Sequence, residues 1–231
     1  MNHKIFWLDD EPNFPSIIDI EELSKGRMSR KKLLENTVFA YDYSSAEEIL
    51  KNNSDNFSLY IIDGDFPLNM RETQKIITKD YIENLKKGRD ISGDLRTSID
   101  FENHYPSAFV EFVIDNVLPK KRNFVIHSMS REAEKLSCLL GWPFYAKVSL
   151  KGISPPKKRK KEIFYHTEVT KCVPNRIFDK VYRFIQDSEK WKPVESTPNF
   201  FQSKEISDLK KDWKHGDYKD LVNQRIIPLF E

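Results

Sequence analysis

The sequence predicts an α/β fold, a doubly wound five-stranded parallel sheet with helices on both faces. Two observations carry this. Short apolar, β-branched or aromatic runs alternate with segments of helical spacing along the N-terminal part of the chain, the pattern of a parallel sheet covered on both sides. Several of those runs then stop abruptly in acidic or polar residues. The 16 Phe, 9 Tyr and 4 Trp supply material for a core, although hydrophobic residues make up only 39% of the chain and charged ones 32%.

Each element has its own reason. Residues 4–8 (KIFWL) are an apolar first strand ended by Asp9, Asp10, Glu11 and Pro12. Residues 14–23 carry Ile17, Ile18, Ile20 and Leu23 at helical spacing. Residues 37–41 (TVFAY) make a β-branched and aromatic second strand. Ser45 with Glu48 reads as a capping box that opens a helix through Leu50. Residues 58–62 (SLYII) are the third strand, followed by Asp63, Gly64 and Asp65. A long polar segment separates Pro67 from Pro106. Its residues 71–87 read as an amphipathic helix through Ile76, Ile77, Tyr81, Ile82 and Leu85, and residues 88–104 as a loop long enough to be functional or mobile. Helical spacing resumes over residues 107–118 through Phe109, Val110, Phe112, Val113 and Val117. Residues 123–126 form the fourth strand, ending in His127 and Ser128. Ser130 caps a helix to Leu140, Gly141 stops it, and residues 144–150 supply the fifth strand.

Beyond that point, Ser154, Pro155 and Pro156 make a break before the run Lys157, Lys158, Arg159, Lys160 and Lys161. Residues 163–169 suit a strand, and residues 175–187 an amphipathic helix through Ile177, Phe178, Val181, Phe184 and Ile185. From Glu189 the tail holds two short helices, around 203–213 and 217–229. The expected organisation is one domain over residues 1–188, with insertions at about 68–105 and 151–173, and a helical C-terminal tail over 189–231.

Charge excludes little. Lys and Arg number 38 against 36 Asp and Glu, a net +2, so the balance by itself calls for neither nucleic acid nor membrane. The basic run at Lys157 to Lys161 leaves contact with nucleic acid open, but such a block ordinarily marks a solvated loop. Cys138 and Cys172 are too few for a disulfide scaffold or a cysteine-rich zinc site. The opening MNHKIFWLDDEP meets acid too soon for a leader peptide, and no run approaches the ~20 apolar residues of a membrane span. A soluble, cytoplasmic protein is expected.

The residues with chemical capacity sit just past the strand ends: Asp9 and Asp10, Asp63, Ser128 and Lys147. In an open doubly wound sheet, ligands bind outside the carboxyl ends of the strands. With strand order 2-1-3-4-5 these residues lie on consecutive neighbours about 4.8 Å apart, and they converge on one crevice. Phosphoryl transfer to Asp63 suits such a crevice. A carboxylate approaches an anionic phosphoryl group poorly, and a hard divalent cation such as Mg²⁺ removes that obstacle. Asp10 with Asp9 would hold the metal, Asp63 would attack, and Lys147 and Ser128 would meet phosphoryl oxygens.

At these residues the chain resembles a response-regulator receiver domain of flavodoxin-like fold. That family has two acids after strand one, an Asp with Pro four positions on after strand three, Ser or Thr after strand four, and Lys after strand five. Here these stand as Asp9 and Asp10 in LDDEP, Asp63 with Pro67, Ser128 after Ile126 and His127, and Lys147 after Phe144, Tyr145 and Ala146. The resemblance covers roughly residues 4–148 and implies residues 175–187 as the last helix. It implies a phosphoaspartate at Asp63, Mg²⁺ as cofactor and a backbone-carbonyl metal ligand at Asp65. It also implies an aromatic switch at Phe144 with a protein-binding face nearby, and a histidine kinase or phosphotransfer protein as partner. WLDDEP, IIDGD and VIHSMS look closer to a divergent branch proposed to process cyclic phosphates. Val148 departs from the family's usual proline after the lysine, and Lys171, ahead of Pro174, rivals Lys147.

Other readings compete. The chain could be a degenerate receiver that binds proteins without being phosphorylated. It could be a metal-dependent phosphoester enzyme, either processing cyclic phosphates or a toprim-like nuclease using Glu11, Asp63 and Asp65. His127 reads as a structural histidine unless cyclic-phosphate chemistry operates. Ser130 is the better helix cap, which leaves Ser128 for function. Trp191 and Trp213 read as packing anchors.

Overall fold

The computed structural model describes residues 4–10, 20–52, 57–69, 76, 79–80, 82–84, 86–87, 104–105, 108–147 and 214–231. Its strands are β1 (Ile5–Leu8), β2 (Thr37–Ala40), β3 (Leu59–Ile62), β4 (Phe66–Pro67), β5 (His104–Tyr105), β6 (Phe124–Ser128), β7 (Phe144–Ala146) and β8 (His215–Asp217). Six of them form one sheet in the order β2-β1-β3-β6-β7-β8, with every pairing parallel. β4 and β5 make a separate antiparallel pair that joins the two ends of the long insertion.

The α/β class and the parallel sheet are as the sequence predicts, and the first five strands of the sheet follow the expected order. The count of five does not hold. β8 adds a sixth strand on the far edge, from a stretch read as helical tail. His215, Gly216 and Asp217 carry no β-branched or large apolar side chain, so nothing local marks them as a strand. Their pairing with β7 recruits them: Phe144 N–H donates to the Lys214 carbonyl at 3.0 Å, and Phe144, Tyr145 and Ala146 register against His215, Gly216 and Asp217.

The helices are α1 (Ile20–Leu23), α2 (Arg30–Glu35), α3 (Tyr43–Asn52), α4 (Ala108–Phe112), α5 (Arg131–Leu140) and α6 (Tyr218–Leu221). α2 was not foreseen; Ser29 starts it by accepting from Lys32 N–H through its side chain. α3 opens earlier than the predicted capping box, and the acceptor is the Asp42 carboxylate, which takes Ser45 N–H at 2.7 Å. At α5 the expectation holds: Ser130 Oγ accepts from Ala133 N–H, and Gly141 follows at φ 68°, the left-handed turn that glycine adopts without strain. α4 and α6 run on alike, through wide turns (Val113–Val117 and Val222–Ile226) into tight ones (Leu118–Lys120 and Ile227–Leu229). Each tight turn contains a proline, Pro119 or Pro228, whose ring cannot donate to the carbonyl four residues back, so the helical ladder widens before it and ends.

Strand alternation divides the core in two. Phe6, Leu8, Tyr60, Ile62, Ile126 and Phe144 face α3, α4 and α5. Ile5, Trp7, Leu59, Ile61, Val125 and Tyr145 face α1, α2 and the C-terminal segment from Tyr218 to Ile227. Burying each such side chain stabilises the fold by roughly 1.5–3 kcal/mol. Ile82, from the predicted insertion helix, joins the second core. Beside it, Glu83 adds to the effect of burial and pushes the Tyr41 phenol up to about 12.

Among the described residues, no helix is long and apolar enough to cross a membrane. The readings made on residues 14–19, 88–103 and 148–213 lie outside the described residues. They include the strand at 163–169, the helix at 175–187, the basic run from Lys157 to Lys161, Lys171, Trp191 and Trp213.

Candidate functional site

Sheet register sets the site. Leu8 pairs with Ile62 across β1 and β3, Ile62 with Ile126 across β3 and β6, and Ser128 with Ala146 across β6 and β7. Asp9 and Asp63, the next residues along, therefore lie level at the carboxyl edge. Lys147, which follows Ala146, stands two positions farther along its strand and meets both through its side chain. Main-chain bonds prolong the ladder through them: Asp9 N–H to the Ala40 carbonyl at 2.9 Å, Asp63 N–H to that of Leu8 at 2.8 Å, and Lys147 N–H to that of Ser128 at 3.1 Å. Alternation places all three side chains on the face of Trp7, Ile61 and Tyr145.

Lys147 lies between the acids. Its Nζ is 2.9 Å from Asp9 Oδ2 and 2.7 Å from Asp63 Oδ2, and all three residues are buried. Burial opposes the ammonium form, but the Asp63 and Asp9 carboxylates together outweigh it and hold the Lys147 pKa above its ordinary value. Asp10 is half-buried beside them. One carboxylate oxygen from each of Asp9, Asp10 and Asp63 can be chosen so that all lie within 4.8 Å of one another, a spacing at which the three could share a cation. Three carboxylates gathered this closely attract positive charge.

Asp63 is held at both oxygens, Oδ1 by Gly64 N–H at 2.6 Å and Oδ2 by Lys147. Ser128 is buried at the same edge, and its Oγ accepts from Ser130 N–H at 3.1 Å. Its hydroxyl proton can still be donated. Asp65 is half-buried and its carboxylate is not in the three-acid group; the role the resemblance implies for it runs through its main-chain carbonyl. Phe144 is only 5% exposed and sits in the first core, between Ile126 and His215 in the sheet. Glu11, which the nuclease reading needs, lies outside the described residues.

Two contributors escaped the sequence reading. A Cβ on Gly64 would fall 2.2 Å from the Ala133 Cβ and 2.9 Å from the Ser128 Oγ, so only glycine lets the first turn of α5 close against the site. The spacing Asp63-Gly64-Asp65 hinted at it. Trp7 Nε1 donates to Asp9 Oδ2 at 3.3 Å, two residues along one face of the strand. A tryptophan two positions before an acid was the available signal.

His127 is fully buried within the sheet. Its Nδ1–H donates to the Tyr145 carbonyl at 2.9 Å, while Nε2 has no hydrogen-bond partner among the described residues. Burial, with Lys147 nearby, pushes its pKa down to about 3 against the small opposing effect of the Tyr145 bond, so the ring is neutral at physiological pH.

No protein-family model matches this chain, and neither a curated protein nor a solved structure matches it.

Proposed function

We propose that this chain is a receiver-like signalling domain of flavodoxin-like topology, in which Asp63 accepts a phosphoryl group in a Mg²⁺-dependent acidic pocket. The observation that carries the reading is the meeting of Asp9, Asp10, Asp63 and Lys147, remote in sequence, at one carboxyl edge of a parallel sheet. Ligand chemistry in such sheets gathers at that edge.

The donor set fits a hard divalent ion: carboxylate oxygens only, close together, one half-exposed. Asp9, Asp10 and Asp63 would hold it. When bound, Mg²⁺ supplies the charge neutralisation that lets a carboxylate approach an anionic phosphoryl group. Asp63 forms the new O–P bond as the donor's bond to phosphorus breaks, and the donor's leaving group takes its proton from solvent. Lys147 releases Asp63 Oδ2 and pairs with a phosphoryl oxygen, still tied to Asp9. Ser128 donates its hydroxyl to another phosphoryl oxygen. The work is positioning and charge stabilisation, and no strong base is required. A histidine kinase or phosphotransfer protein would be the donor. β8 covers the edge of β7, so the protein-binding face near Phe144 would include the sixth strand.

The test is incubation with Mg²⁺ and a small phosphodonor such as acetyl phosphate, read by intact mass. One added phosphoryl group, lost in Asp63→Asn and without Mg²⁺, supports the reading. A folded protein that stays unmodified and binds neither Mg²⁺ nor beryllofluoride overturns it.

The hold on both Asp63 oxygens favours a second reading, a degenerate receiver acting as a protein-interaction module. In that case Mg²⁺ can bind while neither phosphodonor nor beryllofluoride has any effect.

A further inference from the structure

The C-terminal segment reaches the acid pocket by two routes. Along the main chain, β8 pairs Asp217 with Ala146, which sets Tyr218 beside the strand end that carries Lys147. Through side chains, the Tyr218 ring stacks on His127 with centroids 5.2 Å apart and planes at 27°. His127 in turn meets the Trp7 ring edge-on at 5.9 Å. The Trp7 indole N–H reaches Asp9 Oδ2, the same oxygen that receives Lys147. The imidazole cannot turn freely within this chain of rings, because its Nδ1–H is bonded to the Tyr145 carbonyl of the adjacent strand.

Plain core packing does not account for these residue choices. A fully buried imidazole costs more to desolvate than a leucine would at the same place, and a phenylalanine at position 7 would fill the core without offering an N–H to an acid. Groups that orient a metal-binding carboxylate have this form: a donor on one oxygen, itself immobilised from behind.

We propose that Tyr218 and His127 are positioning residues for the acid pocket, transmitting the docking of the C-terminal segment through Trp7 to the carboxylate of Asp9. The part that concerns cation affinity rests on the proposed Mg²⁺ reading; the part that concerns Trp7 does not.

The experiment uses the full chain labelled with ¹⁵N, its indole N–H resonances recorded without added metal, and Trp7→Phe to identify the Trp7 signal. Tyr218→Phe keeps the stacked ring, whereas Tyr218→Leu keeps apolar bulk and loses it. The inference expects the Trp7 signal to move and to exchange faster in Tyr218→Leu but not in Tyr218→Phe. It also expects Mg²⁺ affinity to fall roughly tenfold in Tyr218→Leu alone. His127→Phe, which retains a ring but loses the bond to Tyr145, gives the same displacement of the Trp7 signal and serves where Tyr218→Leu does not fold. An unmoved Trp7 signal in the folded variants overturns the inference. Absence of Mg²⁺ binding by the native sequence instead removes the cation reading and leaves the Trp7 result to decide this one.

Discussion

On the face packed by α3, α4 and α5 the sheet presents rings to rings: Phe6 lies 5.6 Å from Tyr60 and stacks on Phe112 at 6.4 Å, while Phe66 meets Phe112 edge-on at 6.2 Å. On the opposite face the rings share space with charge. Trp7 packs on Phe39 and His127 there and also donates to Asp9, and the ion pairs of Lys147 with Asp9 and Asp63 crown the same side. The first face therefore serves stability. The second carries a buried polar system that costs desolvation and is kept together by mutual pairing. Strand alternation is what separates them, because residues two apart share a face and the edge residues inherit the side of the strand below.

Removing the cation from the charged face should have the largest effect. Lys147→Met leaves two buried carboxylates facing each other, so a loss of roughly 3–5 kcal/mol in denaturant unfolding is expected, with Mg²⁺ restoring part of it. A loss below that of an ordinary core truncation, unaffected by Mg²⁺, would count against the paired arrangement.

The next effect is pH-dependent. The pKa of His127 is depressed in the folded state from 6.5 to about 3, so below pH 6.5 the unfolded chain binds the extra proton. Stability from the neutral ring is complete above that pH and is lost on acidification. It should fall by about 2 kcal/mol between pH 6.5 and 5. His127→Gln should lack this component of the slope, as urea titrations across that range would reveal; matching slopes would mean the ring is not desolvated.

Smaller changes sharpen the contrast between the faces. Ile62→Val, on the ring-packed face one residue before Asp63, should cost about 1 kcal/mol and leave Mg²⁺ affinity unchanged in a calorimetric titration. A parallel loss of affinity would show that the faces are not separate. Asp217→Ala breaks a reciprocal capping box with Asp220 at the start of α6. Its expected cost is also about 1 kcal/mol in thermal unfolding, and, because Tyr218 follows, the variant should weaken Mg²⁺ binding where Ile62→Val does not.

Much of the site was legible because it obeys local rules. The apolar runs ending at Leu8, Ile62 and Ile126 give way to polar residues, and those junctions lie at one level of the sheet. Trp7 and Gly64 were less visible, since their roles depend on an indole N–H direction and on the close approach of Ala133. The Asp42 cap in place of Ser45 was a choice between two adequate acceptors three residues apart.

The sequence by itself determined the parallel α/β character, the first five sheet strands and the acids and lysine near their ends, because continuous apolar runs and abrupt polar stops are properties of adjacent residues. The strand order 2-1-3-4-5 was an expectation that only tertiary pairing could bear out. Tertiary structure decided that residues 215–217 form a sixth strand and that Tyr218, His127 and Trp7 line up behind Asp9. A three-residue strand without apolar character exists only through its neighbour's hydrogen bonds, and rings from three distant segments meet only once the sheet has assembled.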